Sequence, residues 1–256
     1  MEQAARLARA ADRLVSALAG ALILLMLLYG GYSLWDTARV FDGAYVSADL
    51  LRFKPAPENP DHNPTLAELQ QINPDCVAWL TVDDTHIDYP VLQGETDMDY
   101  INTNVYGEFS LSGSIFLDSR NSRDCSDAYS LIYGHHMDNG AMFGDLVQFA
   151  DADYFDTHAT DRLYLPHATY DITLFACVQT DAYDRVIYAP AGQPEGDVGE
   201  LLAYIREHAV QSRDIGMRDS DRVIGLSTCA EAVTNGRVVV FGRLDRVMQR
   251  EKEETT

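Results

Sequence analysis

The chain has 256 residues, 46% hydrophobic and 23% charged, a balance that excludes wholesale disorder and allows one large domain or two small ones. Forty Asp and Glu against 19 Lys and Arg give a net charge of −21. A field of that sign repels phosphate and excludes a general nucleic-acid binder, and four cysteines are too few for a disulfide-dense secreted scaffold.

The run from Leu14 to Trp35 carries no charge and centres on Ala21-Leu22-Ile23-Leu24-Leu25-Met26-Leu27-Leu28. Roughly 20 helical residues cross a bilayer core of about 30 Å. Tyr29, Tyr32 and Trp35 stand at one end, where amphipathic rings favour the headgroup layer, and Arg6, Arg9 and Arg13 precede the other. A cleaved signal peptide shares the basic start. Its apolar core would be only about 7–15 residues and would precede a small-residue cleavage site, whereas Ala17-Leu18-Ala19 lies ahead of this core. The pattern predicts an uncleaved single-pass anchor over 1–35, with the N-terminus cytoplasmic and the rest outside the cell membrane. Glu2 and Asp12 against three arginines give 1–35 a net charge of +1, leaving −22 on residues 36–256.

Residues 36–64 read as an extracellular linker, stiffened by Pro55, Pro57, Pro60 and Pro64, with a short helix over Val40–Leu51. Thr65 and Glu68 form a T-x-x-E capping box that predicts a helix opening the folded domain, 65–248. β-prone runs follow at 77–82, 87–92, 114–118, 129–133, 162–165, 170–178, 223–227 and 238–242, with a hairpin across Pro166-His167-Ala168-Thr169. Helical spacing is confined to Met142–Phe149 and Gly199–Val210. About eight short strands with few helices predict a mainly β, closed or nearly closed barrel with helices in the crossovers. The tail 249–256 is charged and expected to fray.

Three places carry chemistry. Cys229 ends the run Leu226-Ser227-Thr228-Cys229, where a strand gives way to a polar loop. Tyr133-Gly134-His135-His136 ends another strand, and Arg237 opens the last one. A thiol, an imidazole and a fixed cation are the parts of acyl transfer. Each has a structural alternative: cysteine often packs as a small hydrophobe, and a lone Arg often only flanks a strand. Cys177 and Cys76 read as core residues, and Cys125 as a loop thiol or bridge partner. Adjacent histidines on an extended segment point to opposite faces, and no C-x-x-C or H-E-x-x-H is present, so no metal site and no cofactor are predicted.

This ordered set resembles the sortases, membrane-anchored cysteine transpeptidases of Gram-positive envelopes. The resemblance rests on Leu226-Ser227-Thr228-Cys229, Arg237 and Tyr133-Gly134-His135. The class B branch is matched by Asn73-Pro74-Asp75-Cys76-Val77-Ala78-Trp79-Leu80, Ile87-Asp88-Tyr89-Pro90-Val91, Gly113-Ser114-Ile115-Phe116-Leu117-Asp118, Met142-Phe143 and the helix near Gly199–Val210. It covers roughly residues 65–245. It implies a closed eight-stranded sortase-type β-barrel with Cys229 as nucleophile, His135 as acid/base and Arg237 as oxyanion cation. Leu226, Ser227, Thr228 and Glu231 would line the substrate groove. The implied partners are the sorting-signal peptide of secreted proteins and an amine of a peptidoglycan precursor or cross-bridge. A pilin lysine is the alternative acceptor. Two departures are present: Gly225 stands where members commonly have Thr, and Ala230 where class B members often have an acidic residue.

Competing readings fit less well. L,D-transpeptidases place Arg two residues after the Cys, where this chain has Glu231, and NlpC/P60 hydrolases place the Cys before the His. A non-catalytic anchored receptor for a cationic ligand would suit the acidic exterior, and the reactivity of Cys229 discriminates it from an enzyme.

Overall fold

The computed structural model describes residues 2–56, 60–193, 196–229 and 235–247, with the side chain of Cys229 outside that description. Contacts divide the chain into two units, 1–42 and 43–256. The first is most of a single helix, α1 (Glu2–Ala44). Its stretch Ala5–Ala38 is the one helix among the described residues long and apolar enough to cross a membrane, and none of it is buried.

In the second unit the chain breaks at Tyr45 and re-forms a single turn, α2 (Ala48–Leu51), whose N-cap Ser47 Oγ accepts from the Leu50 N–H at 3.2 Å. The helix expected across Val40–Leu51 is thus two pieces. Ala44, Leu50 and Phe53 are buried against the barrel. Next comes α3 (Pro64–Ile72), where the expected capping box does not form. Pro64 takes the first helical position, where its missing N–H costs nothing. Thr65 Oγ1 is buried without a partner, and Asn63, at the N-cap, turns its side-chain amide to Leu165 O (2.6 Å) instead.

The strands are β1 (Cys76–Val82), β2 (Asp88–Leu92), β3 (Ile115–Leu117), β4 (Tyr129–Tyr133), β5 (Thr160–Leu165), β6 (Ala168–Asp181), β7 (Ala209–Ser212), β8 (Val223–Cys229) and β9 (Gly236–Arg246). Their order is β5-β1-β2-β3-β4-β8-β9-β6, and β6 pairs back onto β5 to close an eight-stranded barrel. The ninth strand, β7, was not expected. It adds to the outer part of β6, because α5 (Gly199–His208) ends two residues short of the predicted Val210 and the chain continues extended. A short helix, α4 (Ala152–Thr157), also went unpredicted; Asp151 caps it through two backbone N–H groups. The helix expected at Met142–Phe149 is a 3-10 helix over Gly144–Ala150. Met142 has φ +54°, which no helix accommodates, so the helix starts after it.

Side-chain alternation sorts the core into layers. Ile132, Leu226 and Val240 fill the barrel interior, with Phe143 and Phe149 plugging it. The outward-facing Leu131, Val239 and Phe241 lie under α5 through Leu201, Leu202 and Ile205. Trp79, Leu92 and Phe116 are covered by Leu50, Leu66 and Leu69.

Gly225 has a physical explanation in this packing. A Cβ there would lie 2.8 Å from the hydroxyl of the fully buried Tyr129. Gly225→Ala is expected to lower stability by about 1–3 kcal/mol through overpacking. In a Tyr129→Phe background the penalty should shrink, because the clashing oxygen is gone and it has no hydrogen-bond partner to lose. Urea melts of the four proteins test this; equal penalties in both backgrounds would reject it.

Candidate active site

Three neighbouring strands deliver the candidate residues to one end of the barrel. β4 pairs in parallel with β8, setting Tyr133 opposite Ser227. β8 pairs with β9, setting Cys229 opposite Arg237. His135 lies two residues past the end of β4, and two bonds hold that exit against β8. The Gly134 N–H donates to Ser227 O (3.1 Å), and Thr228 Oγ1 donates to Gly134 O (2.9 Å). Gly134 is required here, because a Cβ would press into the Phe143 ring at 2.6 Å.

His135 is half-buried, with Nε2 2.8 Å from Ile101 O. A carbonyl only accepts, so Nε2 carries the proton in this contact. The Phe143 N–H donates to His135 O at 3.0 Å, closing the loop behind it. His136 faces elsewhere: its Nε2 is 3.4 Å from Asp138 Oδ1, its Nδ1 is buried without a partner, and its backbone bridges to Met142. Arg237 is half-buried and donates from Nη1 to Gly236 O at 3.1 Å.

The four residues expected to line the groove separate. Ser227 is buried beside Tyr188, their hydroxyl oxygens 3.0 Å apart. Thr228 serves the His135 loop instead, through its bond to Gly134 O. Leu226 is fully buried in the barrel interior, where strand alternation sends it, so it presents no surface to a ligand. Glu231 lies outside the described residues.

Sequence reasoning missed a polar network beneath this end. Asp118, fully buried after β3, accepts from Arg120 Nε (2.8 Å) and Nη2 (2.6 Å) and from the Tyr133 hydroxyl (2.8 Å). Burial opposes its ionisation, but the bonds from Arg120 and Tyr133 outweigh that and hold the carboxyl below the usual carboxylate range. Arg120 also donates to Tyr188 O (3.1 Å), and the Tyr133 and Tyr188 rings stack at 6.3 Å. The Asp-x-Arg spacing was a usable signal; the Tyr188 contact, 55 residues downstream of Tyr133, carried none.

Cys76, Cys125 and Cys177 are free and buried, and burial pushes each thiol up to about 12. Cys125, expected in a polar loop, tucks inward at φ +51° and packs with the barrel core. Their burial and raised pKa predict that these three resist thiol reagents at neutral pH. The folded chain is expected to take no more than one methanethiosulfonate label and the urea-unfolded chain all four. Intact-mass measurement reads the count, and two or more labels on the folded chain would contradict the burial.

Comparison with known proteins identifies the family. The sortase domain family matches residues 80–245. Sortase B of Listeria monocytogenes is 36% identical over 70% of this chain and 73% of its own length. A solved class B sortase of Streptococcus pyogenes, described as involved in pilus biogenesis, is 42% identical with a TM-score of 0.64, over 70% of this chain and 97% of that one. The Staphylococcus aureus sortase B–substrate complex is 29% identical with a TM-score of 0.68, over 75% and 88%. With its closed barrel, its β4–β8–β9 end and these relatives, the chain belongs to the sortase family of cysteine transpeptidases, in the class B branch.

Proposed function

We propose that the chain is a membrane-anchored transpeptidase that cleaves the C-terminal sorting signal of secreted proteins and joins the acyl fragment to a cell-wall amine. The register that sets Cys229 opposite Arg237, with the His135 loop bonded to the same strand, carries this reading. The Cys229 thiolate attacks the scissile carbonyl carbon, and the oxyanion that forms is stabilised by Arg237. Protonated His135 gives its proton to the departing amine, and a thioester remains on Cys229. The acceptor amine then attacks the thioester, loses a proton to His135 and expels the thiolate. Sulfur suits both roles, as nucleophile and as leaving group. α1 supplies the anchor, holding the enzyme at the outer membrane face where secreted substrates and lipid-linked wall precursors meet.

The acceptor has a second candidate. The 42% identity to the Streptococcus pyogenes enzyme involved in pilus biogenesis makes a pilin lysine that second candidate. Mass spectrometry of products from candidate sorting peptides, offered a wall cross-bridge amine and a lysine-bearing pilin peptide together, separates the two. Formation of neither adduct would reject the transpeptidase reading. Histidine assignment is tested in the same assay: His135→Ala is expected inactive and His136→Ala active, and the reverse would move the role to His136.

A further inference from the structure

Between β2 and β3 the chain makes a tight hairpin over residues 102–110. Thr103 bridges Phe109, the Asn104 N–H donates to Glu108 O (2.9 Å), and the Ser110 N–H donates to Asn102 O (3.0 Å). Asn104 Oδ1 accepts from the Tyr106 N–H (2.9 Å) and the Glu108 N–H (3.0 Å), and Gly107 turns the tip at φ +78°. Buried Tyr100 packs below it, and buried Val105 holds the tip to the domain, its carbonyl accepting from Asn73 Nδ2 (2.9 Å). Yet this braced turn leaves Phe109 76%, Leu111 55% and Tyr106 46% exposed. A preorganised turn that spends its order on holding large apolar side chains in water marks an interaction site. Residues 100–114 carry one charged side chain, Glu108, in a chain with 40 acidic residues.

The partner follows from where the hairpin sits in the chain's path. Buried Ser112, one residue past Leu111, donates its hydroxyl to Gly43 O (3.5 Å) and lies 2.8 Å from Ser110 Oγ. Gly43 follows Trp35, the end of the charge-free run, by eight residues, a length that reaches at most about 29 Å even fully extended. The hairpin is therefore tied to the first residue of the second unit, which follows the span in the chain.

We propose that Tyr106, Phe109 and Leu111 dock into the headgroup layer of the membrane that α1 crosses, as a second contact beside the anchor. Aromatic rings with a polar edge are the side chains that layer favours, and apolar ones bury beneath it. Because the hairpin has no basic residue, the contact is apolar and independent of anionic lipid. The same loop offers Ile101 O to His135, so docking fixes the catalytic end toward the bilayer. This inference rests on the anchored reading above.

The test uses the full chain in phosphatidylcholine vesicles whose upper acyl carbons are brominated, which quench nearby indoles. Native Trp35 reports the anchor, and fully buried Trp79 sets the unquenched baseline. Phe109→Trp is expected to add emission that falls at least twofold, equally in vesicles with and without phosphatidylglycerol. His167→Trp, on the exposed β5–β6 turn at the opposite end of the barrel, is expected to add emission that does not fall. Quenching of Trp35 without quenching at position 109 would overturn the docking and leave the anchor standing. No quenching of Trp35 would overturn the anchor and the docking with it. Protection of the added indole by a sorting peptide, in place of lipid quenching, would assign the hairpin to the peptide.

Discussion

Cys229→Ala is expected to abolish transfer, lowering kcat/KM by at least about 10³-fold, because no other group can carry the acyl fragment between the two steps. The other thiols offer no bypass. Cys76, Cys125 and Cys177 are buried, and their raised pKa values keep them protonated. Removing the cation is expected to cost less: Arg237→Ala should lower kcat by about 10²–10³-fold, in line with loss of one oxyanion donor. His135→Ala falls between, since it removes both the proton donor of the first step and the acceptor of the second. The double variant Cys229→Ala/His135→Ala should be no slower than Cys229→Ala alone, because residues that act as a unit are not additive. Steady-state peptide cleavage, with intact-mass detection of the thioester adduct, checks each. A Cys229→Ala enzyme within tenfold of the parent would remove the nucleophile assignment.

Asp118→Ala is expected to be the most damaging change away from the thiol, costing about 2–4 kcal/mol of stability. Breaking a buried ion pair costs about 3–5 kcal/mol. Arg120, about half exposed, can turn to water, which moderates the loss. Tyr133 cannot follow, and its hydroxyl is left without its 2.8 Å acceptor. The pH dependence has a definite sign. The native carboxyl sits below its unfolded value, so its stabilisation is complete above the ordinary carboxylate range and is lost as pH falls through the native pKa. The melting temperatures of parent and variant should therefore differ by several degrees at pH 7 and converge in acid. A gap that widened in acid would mean the carboxyl is held neutral. Turnover should fall too, since Tyr133 leads directly into Gly134-His135 and stacks on Tyr188.

The barrel was legible because its strands are short β-prone runs bounded by turn residues; all eight barrel strands were readable, and the Leu165–Ala168 hairpin sits where its turn residues indicated. What was not legible depended on tertiary contact. β7 is four residues of mixed polarity that extend only because β6 offers an edge. The capping box at Thr65 lost to Pro64, which starts the helix two residues earlier, and to Asn63, which turns to the barrel. The end of β8 could be read as a reactive position from its place beside a polar loop. The inward turn of Leu226 follows from the same period of two and was there to be read. The support of His135 by Ile101 O could not be, because a backbone carbonyl leaves no mark in a side-chain pattern.

The insertion of β8 and β9 between β4 and β6 has a consequence for when the candidate site is complete. The seam that sets Tyr133 opposite Ser227 joins residues 94 apart, and the strand opposite Cys229 begins only at Gly236. Contacts of such long range form late and as a group. The histidine loop and Cys229 are therefore apart until β8 pairs with β4, and Arg237 joins them only with the last strand. The candidate site is thus complete only when the last strand is in place, after the rest of the barrel has been made.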